Sequence, residues 1–146
     1  PVIFGDDYRF EIGRGVRLAE GNDVSLIATG IEVEQALAAR ELLAGRGISA
    51  SVVNIPTIKP LDSELVIAEA RRCGAVVTCE EHTIIGGLGS AVTECLSETC
   101  PTPVLRVGVN DTFGRSGPAK ELVSYFGLDA KAIAAKAEAA VALKKN

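Results

Sequence analysis

Short apolar runs recur along this chain, and each is followed by a polar break and then a segment of helical period. Val24-Ser25-Leu26-Ile27-Ala28-Thr29 stops at Gly30 and precedes a helix expected from about Glu32 to Ala44. Ile48 to Ile55 is followed by Pro56 and Pro60, then by a helix that opens at Asp62 and stops at Gly74. Ala75 to Cys79 leads through Gly86 to Gly89 into a helix over about Ser90 to Glu98. Val104 to Val109 leads through a polar loop to helices at Ala119 to Phe126 and about Lys131 to Lys144. Short apolar runs bounded by turn residues read as buried strands. Strands that alternate with helices imply a parallel sheet, and right-handed crossovers then place helices on both faces. The expected fold is α/β, an open three-layer α/β/α sandwich on a mostly parallel sheet.

Local signals support these elements. The first helix gathers Val33, Ala36, Ala39 and Leu43 on one face, with Arg40 inside that face. Arg40 either snorkels or pairs with another chain or domain. Asp62 is the expected N-cap of the second helix, with Leu61 and Val66 spaced as a hydrophobic staple. Arg71 and Arg72 suit that helix's carboxyl end. Asp129 can cap the last helix, whose stripe is Ile133, Ala137, Ala140 and Val141. In the second strand Ser49 and Ser51 alternate with Ile48, Ala50 and Val52. Residues 1–22 are turn-rich and read as a linker, with Tyr8-Arg9-Phe10-Glu11-Ile12 as an edge strand; residues 23–146 form the α/β domain.

Composition removes several function classes. A chain of 146 residues fits one domain. The formal net charge is -4, and Lys and Arg never cluster beyond adjacent pairs, which argues against nucleic acid and anionic membrane as partners. No apolar run approaches the ~20 residues needed to span a bilayer. No signal peptide is visible, and the absence of methionine suggests a fragment, a processed chain or an isolated domain. Cys73, Cys79, Cys95 and Cys100 make no C-x-x-C pair, and His82 is the sole histidine, so a zinc site or dithiol motif is not expected. Small buried thiols fit a reducing, cytoplasmic compartment.

Ligands of such sheets bind at the carboxyl ends of the strands. Those ends carry Thr29-Gly30, Ile55 to Pro60, Glu80 to Gly89 and Asn110 to Gly117. Gly87-Leu88-Gly89-Ser90-Ala91-Val92 follows a strand and opens a helix, the context of a dinucleotide fingerprint with Asp111 downstream. Val92 stands in place of the third glycine, which favours a tight packing turn over an anion cradle. Glu80-Glu81-His82 places a histidine beside two carboxylates, as a general base requires. Adjacent residues on an extended chain face opposite ways, and no nucleophile is tied to the cluster, which favours a structural or interface role. The loop Asp111 to Gly117, with Arg115, fits a phosphate or a neighbouring domain equally well.

Ordered motifs carry a resemblance further. Glu11-Ile12-Gly13-Arg14-Gly15-Val16 resembles an F-x-I-G-K-A-x-V entry, and Asp23 to Gly30 resembles a D-V-x-x-I-A-T-G strand. Gly47-Ile48-Ser49-Ala50 with Val53, then Thr57-Ile58-Lys59-Pro60-Leu61-Asp62, is similar to G-I-S-A-x-V…T-I-K-P-L-D. Glu80-Glu81-His82 with Gly86 to Val92 is similar to E-E/D-H…G-G-x-G-x-A-V, and Gly108 to Gly117 to G-V-x-D-x-F-G-x-S-G. From about Phe10 to Leu128 the chain resembles the C-terminal domain of transketolase-type thiamine diphosphate enzymes. Arg14 and Gly15 depart from the pattern at the usual lysine and alanine, and Arg40 stands where a small residue is common.

The resemblance implies a five-stranded mixed sheet with one antiparallel edge strand. It implies an intact enzyme in which PP and Pyr domains, on the same chain or a partner subunit, bind thiamine diphosphate and Mg²⁺ or Ca²⁺. That enzyme would be a homodimer moving a two-carbon ketol unit between sugar phosphates of the pentose phosphate type. This domain would bind no cofactor or metal, hold no catalytic residue, be inactive alone, and supply domain or dimer contacts. The residues expected at that interface are Arg40, Glu81, His82, Asp111, Arg115 and Ser116. Deoxyxylulose-phosphate synthase and 2-oxo acid dehydrogenase E1 beta subunits share the domain. A free-standing module that binds an anion or partner is the reading of another class.

Overall fold

The apolar runs form the middle of one sheet. The structure is a computed structural model and describes residues 2–144. Its strands are β1 (Val16–Ala19), β2 (Val24–Ala28), β3 (Ala50–Asn54), β4 (Val76–Thr83) and β5 (Val104–Val109). Its helices are α1 (Glu32–Ala44), α2 (Ser63–Cys73), α3 (Leu88–Thr99), α4 (Ala119–Tyr125) and α5 (Ala130–Leu143). The sheet is five-stranded in the order β1-β3-β2-β4-β5. β1 runs antiparallel to β3, and the other pairings are parallel.

The chain leaves β2 toward β3 through α1, then passes back over β2 to β4 through α2. Right-handed crossovers in opposite directions put their helices on opposite faces. α1 and α5 accordingly share one core with Leu26, Val52, Val77 and Cys79. α2 and α3 cover the other with Ile27, Val53 and Val76. The direction of winding reverses between β2 and β4, so their carboxyl ends, Thr29-Gly30 and Glu80 to His82, face the crevice where such sheets hold ligands.

The expected caps form. The Asp62 carboxylate accepts from Leu65 N at 3.1 Å and from Gly15 N at 2.8 Å, so one side chain starts α2 and anchors the approach to β1. Asp129 accepts from Ala132 N at 3.0 Å. Leu61 and Val66 lie in the same core, as a staple requires. Gly74 ends α2 in the left-handed region at φ 69°.

Two expectations need correction. The edge strand is Val16–Ala19, not Tyr8 to Ile12. Phe10 and Ile12 are exposed, and the chain turns at Gly13, whose φ is 79° and whose N–H donates to Thr57 Oγ1. It can reach β3 only after that turn. β4 is longer than Ala75 to Cys79 and takes in Glu80, Glu81 and His82. Its register against β5 slips there, for Cys79 pairs with Val107 but Thr83 with Val109. Such a bulge re-aims side chains, and regular alternation fails at this cluster. β3 is central and all of its residues are buried, Ser51 among them. Pro1, at the start of the expected linker, lies outside the described residues.

Candidate interface at the carboxyl rim of the sheet

Glu80 organises the rim. It is buried, and its carboxylate accepts from Gly89 N at 2.8 Å. That N–H belongs to the first turn of α3, so the carboxylate already occupies the positive end of this helix. A Cβ on Gly87 would overlap Glu80 Oε1, and one on Gly89 would come within 2.7 Å of Arg106 Cδ. The glycines let α3 sit directly on Glu80 and Arg106. This geometry supports the packing reading of the turn and fills the place an anion would take. Burial raises the Glu80 carboxyl above the ordinary value, and the bond from Gly89, the charge of His82, the Leu88 N–H and the charge of Arg106 offset this only in part.

A Gly87→Ala chain is therefore expected to lose about 1–3 kcal/mol of stability, as overpacked sites do. Gly114→Ala is the control, because an added Cβ there meets nothing within 4 Å. Urea unfolding checks both, and equal midpoints for the two variants refute the packing role of the turn.

The remaining rim groups face solvent. Glu81 and His82 are exposed, and His82 Nδ1 lies 3.2 Å from the Thr83 carbonyl rather than against a carboxylate. Arg106 donates to the Ile84 carbonyl at 2.9 Å and fastens the loop after β4. Asp111, Arg115 and Ser116 lie in the loop before α4, and every residue from Asn110 to Glu121 is exposed. Asp111 adopts a positive φ of 46°, which Asp tolerates better than most residues. Arg115 stands 4.6 Å over the Tyr125 ring.

Arg40 is not among them. It lies on α1 beside a hollow lined by Ala44, Gly47, Ile48, Ser49 and Ala50, at the amino end of β3 and so opposite the rim. Its guanidinium pairs with Glu41 at 2.7 Å. The structure thus gathers Glu81, His82, Asp111, Arg115 and Ser116 at one end of the sheet and leaves Arg40 at the other.

Each loop that leaves the rim also exposes one large apolar residue. Ile31 follows β2 at 49% exposure, Ile58 follows β3 at 37%, Ile85 follows β4 at 61% and Phe113 follows β5 at 100%. Residues 3–10 cover part of this rim themselves. Ile3, Phe4, Tyr8 and Phe10 line an open hollow of about 470 Å³ with Thr29, Gly30, Val33, Asn54 and Pro56. Phe4 and Tyr8 stack at 4.0 Å.

Two buried carboxyls escaped the sequence reading. Glu32, in the first turn of α1, is fully buried, and neither oxygen has a partner among the described residues. Burial, and then Glu81 and Asp129, push its carboxyl up to about 7. Glu69 is equally buried but fully satisfied. It accepts from Ser25 Oγ at 2.9 Å, Ser51 Oγ at 2.6 Å, Arg17 Nε at 2.6 Å and Arg72 at 2.8 Å. Both sit in helical register with apolar neighbours: Glu32 with Ala36 and Ala39, Glu69 with Val66 and Cys73. That register was the available signal. Cys79 is buried beside Glu32 and Glu80, and burial raises its thiol well above the ordinary value, so it is an inert core group.

The family model of the transketolase C-terminal domain matches residues 13–133. The chain belongs to the transketolase C-terminal domain family. This transketolase C-terminal domain is 51% identical over 131 residues to the 6-deoxy-6-sulfo-D-fructose transketolase subunit SqwH of a Clostridium species, covering 90% of the chain and 41% of that relative. It is 49% identical over 130 residues to a putative transketolase C-terminal section of Methanocaldococcus jannaschii, covering 88% and 40%. It is 47% identical over 135 residues to 1-deoxy-D-xylulose-5-phosphate synthase 1 of Geobacter sulfurreducens, covering 91% and 21%. The transketolase C-terminal domain therefore spans at most about two fifths of these curated relatives. Among solved structures it matches a split-gene transketolase, described as an inactive β4 tetramer, with a TM-score of 0.95 and 51% identity over 99% of this chain and 47% of that one. Pichia stipitis transketolase in complex with sedoheptulose 7-phosphate matches with a TM-score of 0.66 and 26% identity over 90% and 18%. The observed mixed sheet is the fold that the sequence motifs implied.

Proposed function

We propose that this chain is the C-terminal section of a transketolase-type enzyme that moves a two-carbon ketol unit between sugar phosphates, and that it acts as a packing and subunit-contact domain. The observation that carries this reading is the rim. Every loop leaving it exposes an apolar side chain, and exposed apolar residues grouped at one end of a domain mark an interaction face. Residues 1–22 would then be the linker from the preceding section, with Glu81, His82, Asp111, Arg115 and Ser116 at the contact.

Thiamine diphosphate and Mg²⁺ or Ca²⁺ would be held by PP and Pyr domains, on the same chain or a partner subunit. The residues present here do not fit that group. Among the described residues no cluster of three or more His, Cys, Asp or Glu could hold a metal ion, and Glu80 fills the start of α3. All four cysteines are free, which supports a cytoplasmic setting. No described helix is long and apolar enough to cross a membrane.

Reconstitution tests the reading. The chain alone, given thiamine diphosphate and Mg²⁺, is expected to show no ketol transfer and no saturable cofactor binding. Addition of the sections that precede this domain in its relatives is expected to produce ketol transfer. Micromolar cofactor binding by the chain alone overturns the proposal. The 47% identity to a deoxyxylulose-phosphate synthase favours one second reading, as that enzyme's terminal domain. Formation of 1-deoxyxylulose 5-phosphate by the reconstituted protein distinguishes it from ketol transfer.

A further inference from the structure

One part of the carboxyl rim is not bare. The segment before β1 folds over the ends of β2 and β3 and lines an open hollow of about 470 Å³ with them. It holds its own shape there. Tyr8 N donates to the Gly5 carbonyl at 3.1 Å, Arg9 donates to the Asp6 and Tyr8 carbonyls, and the Phe4 and Tyr8 rings stack. A hollow of this size falls in the range of small-molecule sites.

Asn54 is the group in it that packing leaves unexplained. It ends β3 and is only 6% exposed. Alternation along the strand puts its side chain on the face of Val52, which packs in one core with Val33 of α1. Val33 also lines the hollow, so that core face opens into it at Asn54. Among the described residues the Asn54 amide makes no hydrogen bond, and neither do the hydroxyls of Thr29 and Tyr8. A largely buried amide needs partners, and the hollow is where they can be supplied.

The lining selects the class of ligand. None of the nine residues around the hollow is charged. An ionic ligand would lose its water with no counter-charge to replace it. A purely apolar guest would cover Asn54 and leave its amide unpaired. Amides and hydroxyls both donate and accept, as do the hydroxyls of a sugar or polyol. Phe4, Tyr8 and Phe10 supply apolar surface for the C–H face of the same molecule. We propose that this hollow binds a small neutral polyhydroxylated molecule, held by the Asn54 amide and the Thr29 and Tyr8 hydroxyls. The inference does not rest on the ketol-transfer reading.

Titration of the nitrogen-labelled whole chain with D-xylose, followed by amide NMR, tests it. The signals of Tyr8, Gly30 and Asn54 are expected to shift saturably, with a dissociation constant of about 1–10 mM, as befits so small a neutral ligand. Inorganic phosphate is expected to leave them in place. Thr29→Val and Tyr8→Phe, which remove one hydroxyl each, are expected to weaken binding by about two- to tenfold. Asn54→Leu is expected to weaken it by about tenfold or more. Circular dichroism confirms that each variant folds, and if Asn54→Leu does not, the two hydroxyl variants decide. Absence of saturation with D-xylose overturns the inference. So does binding that Thr29→Val and Tyr8→Phe leave unchanged, or tighter binding of phosphate or of benzyl alcohol than of D-xylose. The outcome is separable from the functional reading. A chain that restores ketol transfer but ignores D-xylose removes this site alone. A chain that binds D-xylose but never restores transfer removes the enzymatic assignment alone.

Discussion

The Glu32→Gln chain is expected to lose a pH dependence of stability that the parent carries between pH 4.5 and about 7. The cause is a buried carboxyl with no hydrogen-bond donor among the described residues. Its ordinary value is 4.5, and the folded protein raises it to about 7. Below the lower value both the folded and the unfolded chain hold the proton, and the stability is fully present. Between the two values the unfolded chain releases its proton first, so stability falls as pH rises. Above about 7 both states are ionised and the loss is complete, at about 3 kcal/mol by the free energy of one pKa unit. Glutamine cannot ionise. Its buried amide lowers stability by an amount that does not vary with pH, so the slope and not the level decides. Urea unfolding at several pH values gives both curves. Parallel curves refute the protonated state of Glu32. The two carboxylates that raise Glu32 come from other elements, Glu81 from β4 and Asp129 from the cap of α5. Glu81→Gln is accordingly expected to reduce the slope without abolishing it.

Glu69→Ala is expected to cost about 3 kcal/mol or more, because it removes the shared partner of a buried network. Glu69 joins β1 through Arg17, β2 through Ser25, β3 through Ser51 and its own helix through Arg72. Arg72 continues to the Gly21 carbonyl at 2.6 Å, at the turn into β2. The two guanidinium side chains are 32% and 27% exposed, so they keep some water when the carboxylate is lost, which places the cost at the low end of the range for buried pairs. Thermal or urea unfolding measures it. A loss under about 1 kcal/mol would show that the network adds little beyond surface pairs. Acid gives an independent check. Burial alone would raise the Glu69 carboxyl, but bonds from Ser51, Arg72, Ser25 and Arg17 outweigh it and hold the group below 4.5. Its contribution is present above 4.5 and is lost as pH falls through the lower folded value. Glu69→Gln is expected to flatten that acid limb while Glu32 governs the limb above it.

These carboxyls show where sequence reading loses its hold. Glu32 and Glu69 both fall in register with apolar residues on their helices, so their burial was visible as a pattern. Their opposite states were not. Glu69 meets serines 44 and 18 residues away and an arginine 52 away, brought together only by the order of the strands. Glu32 has no donor among the described residues, and the charges that act on it are those of the acids Glu81 and Asp129. Arg40 teaches the same lesson. Its place among apolar residues suggested an interface, and the tertiary structure sets it at the opposite end from the rim groups. The edge strand was misplaced for a local reason. Tyr8 to Ile12 has the alternation of a strand, but the turn at Gly13 keeps it from reaching a partner, and pairing starts at Val16.

The sequence by itself determined the alternation of strands and helices, the caps at Asp62 and Asp129, the stop at Gly74 and the family. Each of these rests on contacts within a few residues or on motifs in linear order. Only the tertiary structure decided that Glu80 fills the start of α3, that β4 bulges at Glu80 to His82, and that the rim loops bring Ile31, Ile58, Ile85 and Phe113 to one end. Those outcomes depend on which strands become neighbours, and the strand order β1-β3-β2-β4-β5 is a property of the whole chain packed on itself.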